Sequence, residues 1–578
     1  MIEDRSMCTL EKPGGAKSPI GLFIAPLTRL RRLALLTLTL LGACQLLQAG
    51  GRTMLGTVRD RHRGTPITSA GIQIFDRSGV LLTTTTTNAQ GQWQVSIPVV
   101  GITDQGELPR TFSLEQNYPN PFNPSTKIPF TVVKSGNVRI TVYNILGQLV
   151  DAKEYDLRAG SYAVDWKAKG SAGVLFYSVE MGSERLTKKM VQLDRGNSTG
   201  LGNLSVMSSH VNYNLSPEFA TDSCRIIASS FVYEPDTLTV AFVDSARADF
   251  MLESVHDRAF VIDLHNDVME VISGSSYTYQ LAVRHTTNHT DIPRLKDGGV
   301  DGQIFSIWIS ETTPTSPYFS KAMRFLDTLK AQASRNKDDL VLAVRADSMD
   351  SLSRQKKIAG IVVIEGGHCI EDKIENLQAF YNAGVRVMTI TWNNSTLWAV
   401  SAKDAQAGTK GGLLNDFGKQ VIRTMDSLGM IIDVSHVGPQ TVTDILATSK
   451  NPIIASHSGV YELRNHYRNL TDTQIRAIAQ RGGVIGVVFY PPFLVSSGQA
   501  RLDNVIQHID YIKNLVGNVD CISLGSDFDG IEVTPTGLEN VTKFPAITEA
   551  LLQRGYSRQD VRKILGENFM RVFRAVCK

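Results

Sequence analysis

The sequence predicts an α/β fold for its C-terminal part, a parallel (β/α)8 TIM-like barrel, preceded by all-β sandwich modules. From residue 258 onward, apolar runs of strand length alternate with amphipathic stretches of helix length, which is the pattern of a parallel sheet with helical crossovers. Before that point, apolar and polar residues alternate with a period of two, as in half-buried strands. A chain of 578 residues has room for several domains.

Composition and charge exclude several classes of protein. Hydrophobic residues make up 42% of the chain and charged residues 20%, an ordinary globular composition. The net charge is +3 and no dense basic stripe occurs, so no nucleic-acid partner is expected. The six cysteines are widely spaced without a CxxC pair, which argues against both a disulfide framework and a thiolate zinc site.

Residues 1–50 are predicted to be a targeting segment. Three arginines precede the apolar run 33–41, and small residues follow it, as in a secretory signal peptide. Residues 41–44 also resemble a bacterial lipobox, in which Cys44 would carry a lipid anchor; cleavage near 48–50 is the alternative. We therefore expect export to the periplasm, outer membrane or cell surface of a bacterium.

Two β modules are predicted between the targeting segment and the barrel. Residues 56–58 and 87–93 resemble the carboxypeptidase-regulatory-like β-sandwich, but its later strands are expected only after an insert. The module is therefore predicted to be split into 51–103 and 201–253, with the insert at 104–200.

The insert has a resemblance of its own. Residues 112–124, with the later segments 142–147 and 173–177, resemble a type IX secretion sorting domain. Such domains usually close a chain, whereas this one is internal. Cell-surface sorting and a purely structural sandwich are therefore both open.

Eight strands and their connecting helices are predicted within residues 254–578. The predicted strands are 260–264, 303–308, 359–364, 385–391, 430–434, 452–456, 484–489 and 520–525. The predicted helices include 319–334, 374–383, 415–428, 472–480 and 503–515. Runs of β-branched residues such as 361–364 are typical of parallel strands buried on both faces.

Side chains of metal-ligand type stand where successive predicted strands end. They are His265, Asp267, Glu365, His436, His457 and Asp527. Active sites of such barrels lie at the carboxyl ends of the strands, and residues two apart in a strand face the same side. Imidazole and carboxylate without thiolate suit Zn²⁺, with Mn²⁺ and Fe²⁺ as alternatives. Six such groups exceed the needs of one tetrahedral ion, so two ions sharing a carboxylate are predicted.

Each of these residues also has a structural alternative. A lone strand-end histidine more often makes structural hydrogen bonds, and a strand-end aspartate often caps a helix. The recurrence of such residues at five matching strand ends favours the metal site.

Residues 258–576 resemble the membrane (renal) dipeptidases, a branch of the amidohydrolase-like metal barrels. The segments that carry the resemblance are 263–267, 291–295, 365–368, 433–436, 456–458, 525–530 and 566–573. The resemblance implies zinc-dependent hydrolysis of dipeptides with a free C-terminal carboxylate, by a hydroxide held between two zinc ions.

The resemblance also implies a ligand set for the two ions. His265 and Asp267 would bind one zinc ion. His436 and His457 would bind the other, and Glu365 would bridge the two.

Four further residues receive roles from the same resemblance. Asp527 would take a proton from the bridging water and pass it to the leaving amine. Arg468 would hold the C-terminal carboxylate of the substrate in a bidentate pair, and Tyr490 would lie beside the substrate. Trp392 stands where the vertebrate enzymes carry a histidine that contacts the reacting carbonyl. Since an indole can only donate, stabilisation of the oxyanion would fall to the zinc ions, Trp392 or Asn393.

Two other functions stay open at this point. The first is a dizinc amidohydrolase that acts on N-acyl amino acids or lactams. The second is a non-catalytic surface protein, against which the complete ligand set argues. A dipeptide is the expected partner, and a homodimer is compatible with the sequence.

Overall fold

The computed structural model describes residues 51–77, 79–98, 111–122, 124–170, 172–193, 196–206, 223–276, 278–311, 317–413 and 415–578. The predicted targeting segment, with Cys44, lies outside these residues. The chain divides into two compact units: the described part of 98–215 belongs to the first, and 52–97 with the described part of 216–578 to the second.

Sixteen strands precede the barrel in the described part of the chain. They are Gly51–Asp60 (β1), Gly71–Phe75 (β2), Leu81–Thr86 (β3), Gln92–Pro98 (β4), Ser113–Leu114 (β5), Ser125–Val132 (β6), Gly136–Asn144 (β7), Leu149–Leu157 (β8), Gly160–Gly170 (β9), Gly173–Met181 (β10), Glu184–Gln192 (β11), Gly196–Val206 (β12), Ser223–Ser229 (β13), Asp236–Ala241 (β14), Ala246–Arg247 (β15) and Phe250–Leu252 (β16).

The first unit is built from two four-stranded antiparallel sheets. Their strand orders are β11-β10-β7-β8 and β12-β9-β6-β5. The alternating residues Ile128 and Phe130 of β6 meet Trp166 of β9 and Tyr177 of β10 in one shared core. The period-two alternation in the sequence thus corresponds to strands with one buried face.

The second unit begins with a β module whose strands come from both sides of the insert. β2 pairs with β13 in the sheet β14-β13-β2-β3, and β1 pairs with β4, β15 and β16 in a second sheet. These pairings support the proposed split module, whose boundaries at residues 103, 200 and 253 stay predictions.

The C-terminal part forms a nearly closed barrel of eight parallel strands, which confirms the predicted fold class. The strands here are Ile262–Asn266 (β17), Gly302–Trp308 (β18), Leu340–Leu342 (β19), Ile358–Glu365 (β20), Val387–Thr389 (β21), Ile431–Asp433 (β22), Ile454–Ser458 (β23), Val484–Val487 (β24) and Ile522–Leu524 (β25). The ring order is β17-β18-β20-β21-β22-β23-β24-β25, with β19 paired to β20 outside the ring. A parallel bridge between Asn266 and Phe528 brings its two ends together.

Helices connect the barrel strands. They are Val255–Arg258 (α1), Val268–Gly274 (α2), Ile292–Asp297 (α3), Tyr318–Arg335 (α4), Ala346–Arg354 (α5), Ile374–Asn382 (α6), Ala402–Gln406 (α7), Asp416–Leu428 (α8), Pro439–Thr448 (α9), Asp472–Gln480 (α10), Pro491–Leu494 (α11), Leu502–Val516 (α12), Phe544–Gln553 (α13), Arg558–Arg562 (α14) and Asn568–Val576 (α15). Short 3-10 turns lie at Gly367–Ile370 and Val541–Lys543, and a π-helical turn lies at Lys563–Glu567.

Local sequence signals explain where these helices begin and end. Thr471 and Gln474 form a reciprocal capping box at the start of α10, which satisfies donors that the first turn leaves free. Asn415 caps α8, and Gly429 ends it with a φ of 79°, a conformation that glycine adopts without strain. The apolar faces of α8, α10 and α12 then pack onto the strands in one large core.

Within the described residues, no helix combines the length and the apolar character needed to cross a bilayer.

We expect acid to destabilise the barrel in part through His508 on α12. The imidazole is 1% exposed, its Nδ1 accepts the Val460 N–H at 2.9 Å, and burial lowers its pKa from 6.5 to about 4. The folded state therefore binds fewer protons than the unfolded state, so stability that is present above about pH 6.5 is lost as the pH falls toward about 4. Between about pH 7 and about pH 5, the free energy of unfolding of the wild type should fall by about 2 kcal/mol more than that of His508→Gln, whose side chain at this position cannot titrate.

Urea unfolding of both chains at the two pH values measures this difference. An equal loss of stability in the wild type and the variant would contradict the assignment to His508.

Candidate metal centre and substrate cavity

The five predicted metal ligands lie together at the carboxyl ends of the barrel strands. His265 belongs to β17, Glu365 is the last residue of β20, and His457 belongs to β23. His436 follows β22 in a left-handed backbone conformation, with a φ of 64°. All five residues, including Asp267, are at most 7% exposed. The barrel thus places them in one buried cluster.

Asp267 occupies the N-cap position of α2 without capping the helix. Its side chain accepts no capping hydrogen bond. Its Oδ2 lies 3.3 Å from His265 Nε2, and its Oδ1 is buried without a hydrogen-bond partner. Helix capping, the structural alternative for this residue, therefore does not account for its orientation.

Glu365 lies at the centre of the cluster, and its two oxygens face different ligands. Oε2 lies 3.5 Å from His265 Nε2. Oε1 lies 3.2 Å from His436 Nε2 and 3.8 Å from His457 Nε2. One carboxylate thus reaches both halves of the predicted ligand set.

The donor atoms fit bound metal ions. His436 Nε2 and His457 Nε2 are 3.1 Å apart, near the separation of about 3.3 Å expected for two nitrogens on one tetrahedral zinc ion. His265 Nε2 is buried without a hydrogen-bond partner. The ligand atoms of His265, Glu365 and His457 lie within 4.8 Å of one another. A cation would satisfy these converging lone pairs.

Hydrogen bonds at the far side of two imidazoles fix their orientation. His457 Nδ1 lies 2.9 Å from Ser456 Oγ, which donates to Asp433 Oδ2 at 2.7 Å. His436 Nδ1 lies 3.1 Å from Asn393 Oδ1. Since both oxygens accept from Nδ1–H, each Nε2 keeps its lone pair for a metal.

Two buried aspartates anchor the loops that carry the ligands. Asp433 accepts hydrogen bonds from the Ser435 N–H at 3.0 Å and from Thr389 Oγ1 at 2.7 Å. Asp263 accepts from both the N–H and the Oγ of Ser526 at 2.7 Å. Both aspartates are fully buried. These contacts tie the end of one strand to the end of the next.

Burial sets the protonation of the cluster. It lowers the pKa of His436 to about 4, with Arg468 adding to the effect, and lowers the pKa of His457 well below its ordinary value. Both imidazoles are therefore neutral near pH 7 and can act as ligands. Burial, with Asp267 and Glu365 nearby, raises the pKa of Asp527 well above its ordinary range.

Asp527 joins the cluster from the loop after β25. Its backbone has a φ of 63°, and its N–H donates to the His265 carbonyl at 3.1 Å. Its carboxylate lies within 4.8 Å of the ligand atoms of His265 and Asp267. The loop needs glycine at 530, because a Cβ there would lie 2.2 Å from Asp267 Oδ2.

A cavity of about 400 Å³ opens onto the cluster, and all three predicted substrate-side residues lie in its wall. Arg468 is 3% exposed; its Nη2 donates to the His457 carbonyl at 3.2 Å, while its Nε has no partner. Trp392 packs against Trp308 with ring centroids 4.8 Å apart. Tyr490 makes an edge contact with Phe493. Seven of the nine predicted site residues line this cavity. The other two, His265 and His457, lie beside it in the buried ligand cluster.

Comparison with known proteins identifies the family of the barrel. Residues 251–578, more than half of the chain, match the family model of membrane dipeptidases, peptidase family M19. The chain belongs to the membrane dipeptidase family. The protein is accordingly a metallo-dipeptidase, a hydrolase that cleaves dipeptides with the help of bound metal.

Solved structures of metallopeptidases share the fold of this dipeptidase. A metallo peptidase from Rhodobacter sphaeroides, liganded with a phosphinate mimic of the dipeptide L-Ala-D-Ala, is 24% identical, with a TM-score of 0.51 over 55% of this chain and 99% of its own. A dipeptidase of family M19 is also 24% identical, with a TM-score of 0.50 over 55% of this chain and 98% of its own. The probable dipeptidase PvdM from Pseudomonas aeruginosa is 21% identical, with a TM-score of 0.50 over 56% and 96%.

A second family match falls in the insert of the dipeptidase chain. Residues 116–192 match a secretion system C-terminal sorting domain. The match indicates export and an association with the cell surface or outer membrane. In this dipeptidase the sorting domain precedes the catalytic barrel.

Glu270 and Trp308 are among the residues of the dipeptidase cavity that sequence reasoning missed. Glu270 lies three residues after Asp267 on α2, so it returns to the same side of that helix. Trp308 ends β18 as Glu365 ends β20, and the two residues pair across the strands. Burial, with Asp267, Glu365 and Asp527 nearby, raises the pKa of Glu270 to about 8.

Removal of metal should lower the thermal stability of the dipeptidase. The buried carboxylates of Asp267, Glu365 and Asp527 repel one another without cations, and a metal that binds only the folded chain stabilises it. Chelator-treated protein should lose activity and melt roughly 5 °C or more below the untreated protein, and Zn²⁺ should restore both.

Differential scanning calorimetry with elemental analysis provides the measurement. The His457→Ala variant, which lacks one ligand, should respond less to added Zn²⁺. An unchanged melting temperature in protein shown to be metal-free would contradict the prediction.

Proposed function

We propose that the dipeptidase uses two zinc ions that share Glu365. His265 with Asp267 would hold one ion, and His436 with His457 would hold the other. The proposal is supported by the division of the Glu365 oxygens, one toward His265 and the other toward the second pair of histidines. When bound, such a pair of ions supplies a nucleophile from water at neutral pH and polarises the substrate carbonyl.

Asp527 would move the proton of the reaction. Its carboxyl lines the cavity beside His265 and Asp267. Burial raises the pKa of that carboxyl, which makes it a stronger proton acceptor than an exposed aspartate. It would accept a proton from the attacking water and deliver it to the amine nitrogen as the C–N bond breaks.

A buried cation without an anionic partner supports the substrate assignment. Arg468 forms no ion pair with a carboxylate in the part of the chain that the structure describes, and its Nε has no hydrogen-bond partner. A buried, unpaired guanidinium is costly, and a substrate carboxylate would offset that cost through charge-assisted hydrogen bonds. We infer that the C-terminal carboxylate of a dipeptide binds here.

Trp392 and Tyr490 would shape the cavity around the substrate. The Trp392 ring lies 6.1 Å from the ring of His436, which places its indole beside the proposed metal ligands. Burial, with Glu532 and Asp527 nearby, raises the pKa of Tyr490, so its phenol stays protonated and can donate. Both side chains can therefore offer a hydrogen bond to a substrate oxygen.

We propose that the dipeptidase reaches the outer membrane or cell surface through its targeting segment. The sorting-domain match at 116–192 supports export. The arginines before the apolar run 33–41 support a signal peptide, and the lipobox-like residues before Cys44 support a lipid anchor.

The wild-type enzyme should hydrolyse a dipeptide more efficiently than its C-terminal amide, by about tenfold to a hundredfold in kcat/KM, because the amide lacks the charge that Arg468 would pair with. Arg468→Lys keeps the charge but loses the bidentate geometry. It should lower kcat/KM for the dipeptide by about tenfold and change that for the amide little. Steady-state kinetics on the matched pair provides the measurement, and equal turnover of both substrates by the wild type would overturn the carboxylate assignment.

Asp527→Asn should reduce kcat by about a hundredfold to ten-thousandfold and change KM little, since an amide cannot carry the proton. The variant should still bind two zinc ions per chain, because Asp527 is not one of the proposed ligands. Kinetics and elemental analysis on the same preparation separate the outcomes. Near-wild-type kcat, or loss of zinc together with activity, would refute the proton-transfer role.

A further inference from the structure

One acidic side chain of the catalytic cavity has no role in the mechanism above. Glu270, on α2, lines the cavity together with the indoles of Trp308 and Trp392. It lies one helical turn beyond Asp267, so the first barrel strand delivers two carboxylates to the same opening. Glu270 is only half-buried, and a ligand in the cavity can reach it.

Glu270 has no cationic partner among the residues that the structure describes. Its backbone N–H donates to the Asp267 carbonyl, but its carboxylate takes part in no ion pair or side-chain hydrogen bond. Lys321 and Arg324 on α4 share an outer cavity with Glu270, yet no ion pair joins either of them to it. The groups that interact electrostatically with Glu270 are the carboxyls of Asp267, Glu365 and Asp527 and the imidazole of His265. This side of the cavity is therefore rich in carboxyl groups, and a bound cation would stabilise the ionised form of Glu270.

The carboxyl-rich side of the cavity and the proposed carboxylate site follow different strands of the barrel. Glu270 follows β17, the first strand of the ring, whereas Arg468 follows β23, the sixth strand. Glu365 and Asp527 interact electrostatically with both residues. The cavity thus has a side rich in carboxyl groups and a side with a buried guanidinium, a pattern complementary to a short zwitterion.

We propose that Glu270, Trp308 and Trp392 form a subsite for an ammonium group on the residue at the amino side of the scissile bond. A carboxylate attracts this group directly, and indole faces attract a cation through their quadrupoles. Trp308 and Trp392 lie with ring centroids 4.8 Å apart and planes inclined by 54°, which forms an aromatic wall beside Glu270. The proposal rests on the proposed dipeptidase mechanism and adds a determinant of substrate class to the same cavity.

The subsite discriminates dipeptides from N-acyl amino acids. An acylated substrate carries no positive charge on its amino side. Its binding would remove water from the Glu270 carboxylate without supplying a partner, and an unpaired, desolvated charge is penalised. The carboxyl group of Glu270 thus favours a free amine over the acyl group of the rival amidohydrolase function.

The test uses Glu270→Gln with two pairs of matched substrates. Alanyl-alanine and propionyl-alanine differ only in the α-ammonium group, and lysyl-alanine and norleucyl-alanine differ in the side-chain ammonium group. The variant should lower kcat/KM by about tenfold to a hundredfold for the substrates whose ammonium group the subsite binds, mainly through KM. Its effect on the matched substrate without that group should be less than about threefold. The first pair reports the α-ammonium and the second pair a side-chain ammonium.

Glu532→Gln is the matched control. Glu532 is an exposed carboxylate on the loop after β25 and does not line the cavity, so its removal should leave both substrate pairs unchanged. An equal effect of the two variants would attribute the preference to long-range attraction and overturn the subsite. An equal loss on charged and uncharged substrates by Glu270→Gln would also overturn it.

The outcomes also separate this inference from the dipeptidase mechanism. The subsite alone is refuted if the wild-type enzyme cleaves the dipeptides and the Glu270→Gln variant keeps the full preference for substrates with the ammonium group. A metal-loaded wild-type enzyme that cleaves none of the dipeptides refutes the proposed function, and the subsite with it. Melting temperature and metal content of the variant confirm that its fold and cluster are intact.

Discussion

The buried carboxylate of Glu365 is the group on which the arrangement of the site depends. It ends β20, a strand whose eight residues are all buried and which pairs with β18 on one side and β21 on the other. The ladder partners of Glu365 are Trp308 and Thr389, so its height in the barrel is set by the register of three strands. From that position one oxygen reaches His265 and the other reaches His436 and His457. A slip of one residue would direct this carboxylate away from the cluster.

Hydrogen bonds around the cluster fix the positions of the ligand side chains. Asp263 and Asp433 lie below the ligands, fully buried, and accept hydrogen bonds from Ser526, Ser435, Ser456 and Thr389. Most of their partners come from other strand ends, and the contacts of Asp263 with Ser526 join β17 to the loop after β25, where the ladder is incomplete. Left-handed backbone at His436 and Asp527 costs free energy, and this surrounding network holds both residues in place.

The chemistry of the cavity follows from how charge is distributed around the rim. Neutral imidazoles and a central carboxylate suit cations. The buried Arg468 has no ion-pair partner among the described residues, and its unpartnered Nε would suit a substrate carboxylate. Trp392 lines the same cavity as Glu270. In the proposed mechanism these two residues contribute packing and charge to substrate recognition, and Asp527 moves the proton.

The sequence by itself determined the barrel and the identity of its ligand-type residues. Strands buried on both faces are apolar throughout. The ends of three strands could therefore be identified in the sequence where His265, Glu365 and His457 interrupt the apolar runs. Helix α10 was predicted with the bounds that the structure has, since a capping box starts it. The strand β19 was not predicted, because a run of three residues is too short to show a hydrophobic periodicity.

Only the tertiary structure decided how these residues meet. The separate oxygens of Glu365, the unpartnered Nε of Arg468 and the place of Glu270 in the cavity wall all depend on distances between residues far apart in the chain. The pairing of β2 with β13 across the insert is of the same kind. The local sequence pattern indicates which face of a helix or strand is buried. Strand register and barrel closure determine which residues that face contacts.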